Sequence, residues 1–203
     1  MKQNLDSQML VWARRTINEL KLDLTQANKL GSTIESEIQS LPLEEKRVLT
    51  ELSHVTPQNR LDELVAFQGW MDYAHRVRGN PYVTRAQVIT QNYICFVYLG
   101  DALFKTLKGV LPPPFVTGRC CRFLLNNPVR AFRNAVAHSN WRYKEDFSGL
   151  EFWAKKGSER DEIPVYFEVS QEELGYWQAL SRCVAYSAYM ALTKHSVNTH
   201  KAD

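Results

Sequence analysis

Arg130, Arg133, Asn134 and His138 stand in one short run that begins at Pro128. The Asn126-Asn127-Pro128 triplet predicts a helix start with proline in its first turn. At 100° per residue, Val129, Phe132 and Val136 then fall within about 60° of one another and form the core face. Arg130, Arg133, Asn134, Ala137 and His138 fill the opposite arc of about 140°. Ala137 lies between Arg133 and His138, and its methyl keeps the floor low enough for a phosphate or a second helix to approach. Imidazole gives and takes a proton near neutral pH. Guanidinium offers a fixed fork of donors to phosphate oxygens and to the added charge of a phosphorane. RNA carries its own nucleophile in the 2′-OH, so this group of side chains suits cleavage to a 2′,3′-cyclic phosphate without a metal.

The surrounding charge points the same way. The chain is only +3 overall, yet no Asp or Glu occurs from Ala102 to Lys144. Lys105, Lys108, Arg119, Arg122, Arg130, Arg133, Arg142 and Lys144 make that segment +8. Residues 1–101 sum to −1 (11 basic, 12 acidic) and residues 145–203 to −4 (6 basic, 10 acidic). Such a segment in a nearly neutral protein predicts an anionic partner, phosphate being the commonest. Arg130, Arg142 and Lys144 are therefore candidate phosphate contacts. Trp141 and Tyr143 can stack bases, or can belong to the core or to a dimer seam.

The elements that must position these groups are mainly helical. Residues from Ser7 to Leu41 favour helix with a break near Gly31-Ser32, and a short helix follows Pro42. Thr56-Pro57 starts a helix that places Leu61, Leu64, Val65, Trp70, Met71, Ala74 and Val77 on one face. Arg78-Gly79-Asn80-Pro81 ends it. Thr84 to Gln87 reads as a capping box opening a long apolar helix to about Lys108. Three prolines make Leu111 to Phe115 a loop, and a helix runs through Cys120 to Leu125. Leu150–Lys155 and Ile163–Val169 read as a β-hairpin joined by polar residues 157–162. Ser170-Gln171-Glu172-Glu173 opens a last helix with Leu174, Trp177, Leu180, Val184, Ala188 and Ala191 on one stripe, ending near His195. The chain reads as one domain over residues 1–203, with 1–52 as an N-terminal helical extension.

Composition excludes several classes. Hydrophobic residues are 44% and charged residues 23% of 203, with 9 Phe, 5 Trp and 9 Tyr, which is ample for a core. The most apolar stretch, Val88 to Phe104, contains Gln91, Asn92 and Asp101, so no membrane span is expected. Gln3, Asn4, Asp6 and Ser7 occupy the place of an apolar signal, which predicts a cytoplasmic protein. Cys95, Cys120, Cys121 and Cys183 form no C-x-x-C pair and have no histidine at zinc spacing, so they read as reduced, mostly buried thiols with no metal role.

Arg133-Asn134-x-x-x-His138 resembles the R-x4–6-H signature of the HEPN superfamily, in which a polar residue often follows the arginine. The resemblance implies a helical bundle and a metal-independent endoribonuclease that needs no cofactor. It also implies a homodimer that brings both motifs to one cleft. It assigns catalysis to Arg133 and His138 and a polar supporting role to Asn134. RNA is the implied substrate, in a toxin or antiviral defence effector, with an antitoxin or other defence protein as the implied partner. HEPN domains that bind nucleotides or nucleic acid without turnover provide the alternative, as does a helical scaffold docking an acidic protein. His138 can also be a C-terminal helix cap, where an imidazolium opposes the dipole. Arg133 can also be half of a salt bridge.

Overall fold

A computed structural model describes the backbone at residues 2–51, 57–76, 81–146, 148–154 and 164–199, with side chains at most of these positions. The first helices are α1 (Lys2–Leu20), α2 (Leu24–Asn28), α3 (Leu30–Gln39) and α4 (Leu43–Glu51). Their break does not fall at Gly31-Ser32. It falls at Lys21, which takes a left-handed φ of 54°, and again at Lys29. Gly31 instead lies inside α3, where a Cβ would come within 3.2 Å of Ser187 Oγ. The missing side chain serves close packing rather than a turn. Leu20, Leu30, Ile34, Ile38 and Leu49 of this N-terminal part join the same buried core as the rest of the described chain.

Helix α5 (Pro57–Arg76) begins at the expected proline. Leu64 is buried, but Val65 is exposed rather than on the core face. The side chains of Trp70, Met71 and Ala74, and the stop at residues 78–80, lie outside the described residues. Helix α6 (Pro81–Asn92) starts three residues before the expected capping box, again with proline at its first position. It runs on through two π-helical stretches, π1 (Tyr93–Tyr98) and π2 (Gly100–Phe104), into α7 (Lys105–Val110). The apolar pattern alone indicated one regular helix, because a wider turn changes which residues face inward without changing their types. The last helix, α10 (Gln171–Thr199), supports this irregular segment. Its Ser181 Oγ donates to the Cys95 carbonyl at 2.7 Å, and its Gln178 Nε2 donates to Asn92 Oδ1 at 2.7 Å.

After the proline loop comes α8 (Val116–Leu125), whose N-terminus is capped from α3. Glu37 accepts from the Val116 and Thr117 N–H groups, each at 2.8 Å, and from Thr117 Oγ1 at 2.7 Å. Helix α9 (Val129–Ala137) follows with Pro128 at the N-cap. No side chain caps it; the Arg130 N–H donates to the Asn126 carbonyl at 2.9 Å. The expected hairpin is present as β2 (Gly149–Ala154) and β3 (Val165–Ser170), paired antiparallel with Leu150 opposite Val169. Trp141–Tyr143 adds an edge strand, β1, that the sequence reading lacked, giving the antiparallel order β1-β2-β3. Helix α10 (Gln171–Thr199) carries the expected buried stripe from Leu174 to Ala191 and packs on α3, α5 and α8. Its start keeps half of the expected box, since Ser170 Oγ accepts from the Glu173 N–H at 3.1 Å. The architecture is thus mainly α with one small antiparallel sheet. Among the described residues no helix is long and apolar enough to cross a membrane.

Helix α9 is held by the buried Phe132 ring. It meets Phe96 of π1 edge-on at 5.3 Å, Phe152 of β2 at 5.1 Å and Trp177 of α10 at 5.9 Å. Replacing Phe132 by Ala is expected to cost about 3–5 kcal/mol of unfolding free energy. The check is a lower urea midpoint at unchanged slope. A midpoint equal to that of the parent would show that this cluster does not hold α9.

Candidate active site

The face of α9 emerges as its spacing requires. Val129, Phe132 and Val136 are buried. Arg133 and Asn134 are half-buried, and Arg130, Ala137 and His138 are exposed. The helix closes with a paired C-terminal motif in which Ser139 takes a left-handed φ of 58°. The Asn140 N–H donates to the Ala135 carbonyl at 2.8 Å, and the Ser139 N–H to the Val136 carbonyl at 3.4 Å. His138 is therefore the C-cap residue, exposed where the chain leaves for β1. The capping position weighed for it in the sequence is the one it occupies.

Arg133 is held from two sides. Its Nη1 donates to Asn134 Oδ1 at 2.9 Å, and its Nη2 bonds to Asp101 Oδ2 of π2. The other oxygen of Asp101 takes the Lys105 ammonium. One carboxylate thus bridges a cation of α7 to a cation of α9. The Lys105 ammonium foremost, with Arg133 behind it and burial in opposition, holds the Asp101 carboxyl below its ordinary value of 3.8.

This bridge stands at a cavity of about 390 Å³ between the two helices. Lys105 and Lys108 line one wall, and Arg130, Arg133 and Asn134 the other. Phe96, Leu124 and Leu125 supply apolar lining. His138 is not among the lining residues. The structure thus gathers Arg130, Arg133 and Asn134 at one cavity and leaves His138 beyond its edge, at the end of the same helix.

The remaining nominated residues belong to the sheet. Arg142 bonds through Nε to Glu151 at 2.6 Å, and Lys144 bonds to Glu168. That second bond raises the Lys144 ammonium above its ordinary pKa. Trp141 is half-buried and meets Tyr143 edge-on at 5.4 Å, packed against the core. Four of the segment's eight cations thus pair with carboxylates outside it, Asp101, Glu151 and Glu168. Sequence reading missed Asp101 and the paired lysines. The available signal was that Asp101 is the last acid before the segment begins, within a helical turn of Lys105.

Other chemistries find little here. The four cysteines are free. Burial pushes the Cys95 and Cys183 thiols up to about 11 and those of Cys120 and Cys121 upward as well, so none is a thiolate at neutral pH. Among the described residues no three His, Cys, Asp or Glu side chains gather in a possible metal site.

The fold and the site together define a mainly helical protein with a cation-lined cavity against one helix. Comparison of the chain with models of protein families, with curated proteins and with solved structures finds no match.

The bridge is partly exposed, with 32% of the Arg133 side chain and 43% of Asp101 open to solvent, so it is worth little. A double-mutant cycle with Asp101→Asn and Arg133→Gln is expected to give about 0.5–1 kcal/mol of coupling at neutral pH. Because the folded carboxyl titrates below its unfolded value, this stability is complete above the unfolded pKa and is lost as pH falls through the folded one. Coupling that survives full protonation of the carboxyl would show that the contact is not ionic.

Proposed function

We propose that this chain is a metal-independent endoribonuclease of the HEPN type, acting as a homodimer in the cytoplasm as a toxin or antiviral defence effector. One observation carries the reading. Arg133 and Asn134 are hydrogen-bonded to each other at a cation-lined cavity, with His138 exposed at the end of the same helix. The 2′-oxygen of RNA attacks the adjacent phosphorus, the P–O5′ bond breaks, and the products carry a 2′,3′-cyclic phosphate and a 5′-OH. Arg133 stabilises the phosphorane, Asn134 orients it, and His138 moves a proton. The step needs a base for the 2′-OH and an acid for O5′, whereas this face of one chain brings one imidazole. A second copy of the chain supplies the other, which is the chemical reason for a dimer. Arg130 contacts the substrate phosphate. Arg142, Lys144 and Trp141 assist at most from the sheet, since both cations are already met by glutamates.

A second reading is a binding module without turnover, for a nucleotide or for nucleic acid. The position of His138 outside the cavity lining favours it.

The experiment is RNA cleavage in excess EDTA, with His138→Ala and Arg133→Ala proteins run beside the parent and the product ends identified. The expected result is 2′,3′-cyclic phosphate ends from the parent, and at least a hundredfold slower cleavage by each variant, the scale on which acid–base and oxyanion-stabilising groups act. RNA bound but uncut by the parent would replace the enzyme with the binding module.

A further inference from the structure

The two walls of the cavity repeat one arrangement twice. Lys105 and Lys108 are three residues apart on α7, as are Arg130 and Arg133 on α9, so each pair lines one helix face about 4.5 Å apart along its axis. The Lys105–Arg133 pair is bridged by the two oxygens of a single carboxylate, Asp101. That bridge measures the walls: at this point they stand one oxyanion apart. Lys108 and Arg130, the next cation along each wall, line the same cavity. Among the described residues no carboxylate forms an ion pair with either. Both are exposed, so the pair is open to a ligand.

We propose that Lys108 and Arg130 form a second oxyanion site, the counterpart of the Lys105–Asp101–Arg133 bridge, which takes a phosphate group of a nucleotide or of an RNA strand. Four cations and one carboxylate leave the cavity lining at +3, more than a single carboxylate ligand neutralises. A chain of phosphates, or a terminal phosphate with its second charge, matches that surplus. Arg130 offers a fork of donors suited to two phosphate oxygens, and Lys108 of α7 offers a point charge to the same cavity. Half-buried Leu125 offers an apolar contact for the base or sugar beside the phosphate. The site shares its α9 wall with the proposed ribonuclease centre and rests on that reading only for RNA as one source of the phosphate. It requires no cleavage.

The test measures binding of two probes across a salt series: ATP, and a 2′-O-methyl oligoribonucleotide that cannot be cut. Lys108→Ala and Arg130→Ala are each expected to weaken the bound probe about tenfold, the effect of one charge-assisted hydrogen bond. For the strand, each variant also lowers the slope of log affinity against log salt by about 0.7. Arg130→Lys is expected to keep the salt slope of the parent but to lose part of the affinity, because an ammonium keeps the charge and not the fork of donors. Arg122→Ala, which removes an equal charge from a different cavity, serves as the reference, and unchanged melting curves establish folding. Loss confined to ATP assigns the cavity to a free nucleotide, loss confined to the strand assigns it to RNA, and loss of both confirms the shared phosphate chemistry. The proposal is overturned if the parent binds neither probe, or if the two variants weaken binding no more than Arg122→Ala does. Binding that depends on Lys108 and Arg130 in a protein that leaves RNA uncut would sink the ribonuclease reading alone and leave this site standing.

Discussion

The Phe132 ring is the contact on which the site depends. It is buried where π1, β2 and α10 meet, and three aromatic rings surround it at 5.1–5.9 Å. A short helix has little stability of its own, and its rotation about its axis is set by whichever side chain is most deeply packed. With Phe132 fixed inward, helical geometry leaves Arg130, Arg133, Asn134 and His138 no other direction than outward. The polar arc is thus a consequence of a hydrophobic anchor, and the same ring ties it to the sheet and to the central helix.

Electrostatics then decides which of the outward charges remain available. Arg142 and Lys144 meet glutamates across the sheet, and Arg119 donates to the carbonyls of Lys21 and Pro114. Arg133 and Lys105 share Asp101. Of the segment's cations that no described carboxylate pairs, Lys108 and Arg130 line the α7–α9 cavity, and Arg119 and Arg122 line a second one. Charge spread along 43 residues of sequence is thereby gathered at two cavities, because ion pairing offsets it wherever a carboxylate can reach.

The π-helical turns are part of that arrangement. They bring Gly100 and Asp101 to the lining of the cavity while burying Leu103 and Phe104 in the core. Helix α10 braces them with Ser181 and Gln178, and it is positioned in turn by α3, which packs closely enough that Gly31 has no room for a side chain without displacing Ser187. The N-terminal helices, seemingly peripheral in the sequence, therefore hold the helix that holds the site. Glu37 adds a direct tie by capping α8.

The amino-acid sequence by itself determined what depends on periodicity and local chemistry. The mainly helical class, the inward face of α9, the buried stripe of α10, the hairpin strands and the proline loop were legible, because residue type at fixed spacing sets which side of an element is buried. Turn geometry was less legible. Gly31 read as a break but serves packing, and β1 was missed because three residues carry too little alternation to register. Only tertiary structure decided the electrostatics. Arg133 and Asp101 are 32 residues apart, and Lys144 and Glu168 are 24 apart. A count along the chain shows an acid-free segment, whereas charges interact through space. The cavity gathers cations of α7 and α9 with lining from π1, π2 and α8, an arrangement fixed by packing on the common core and not encoded in either helix alone.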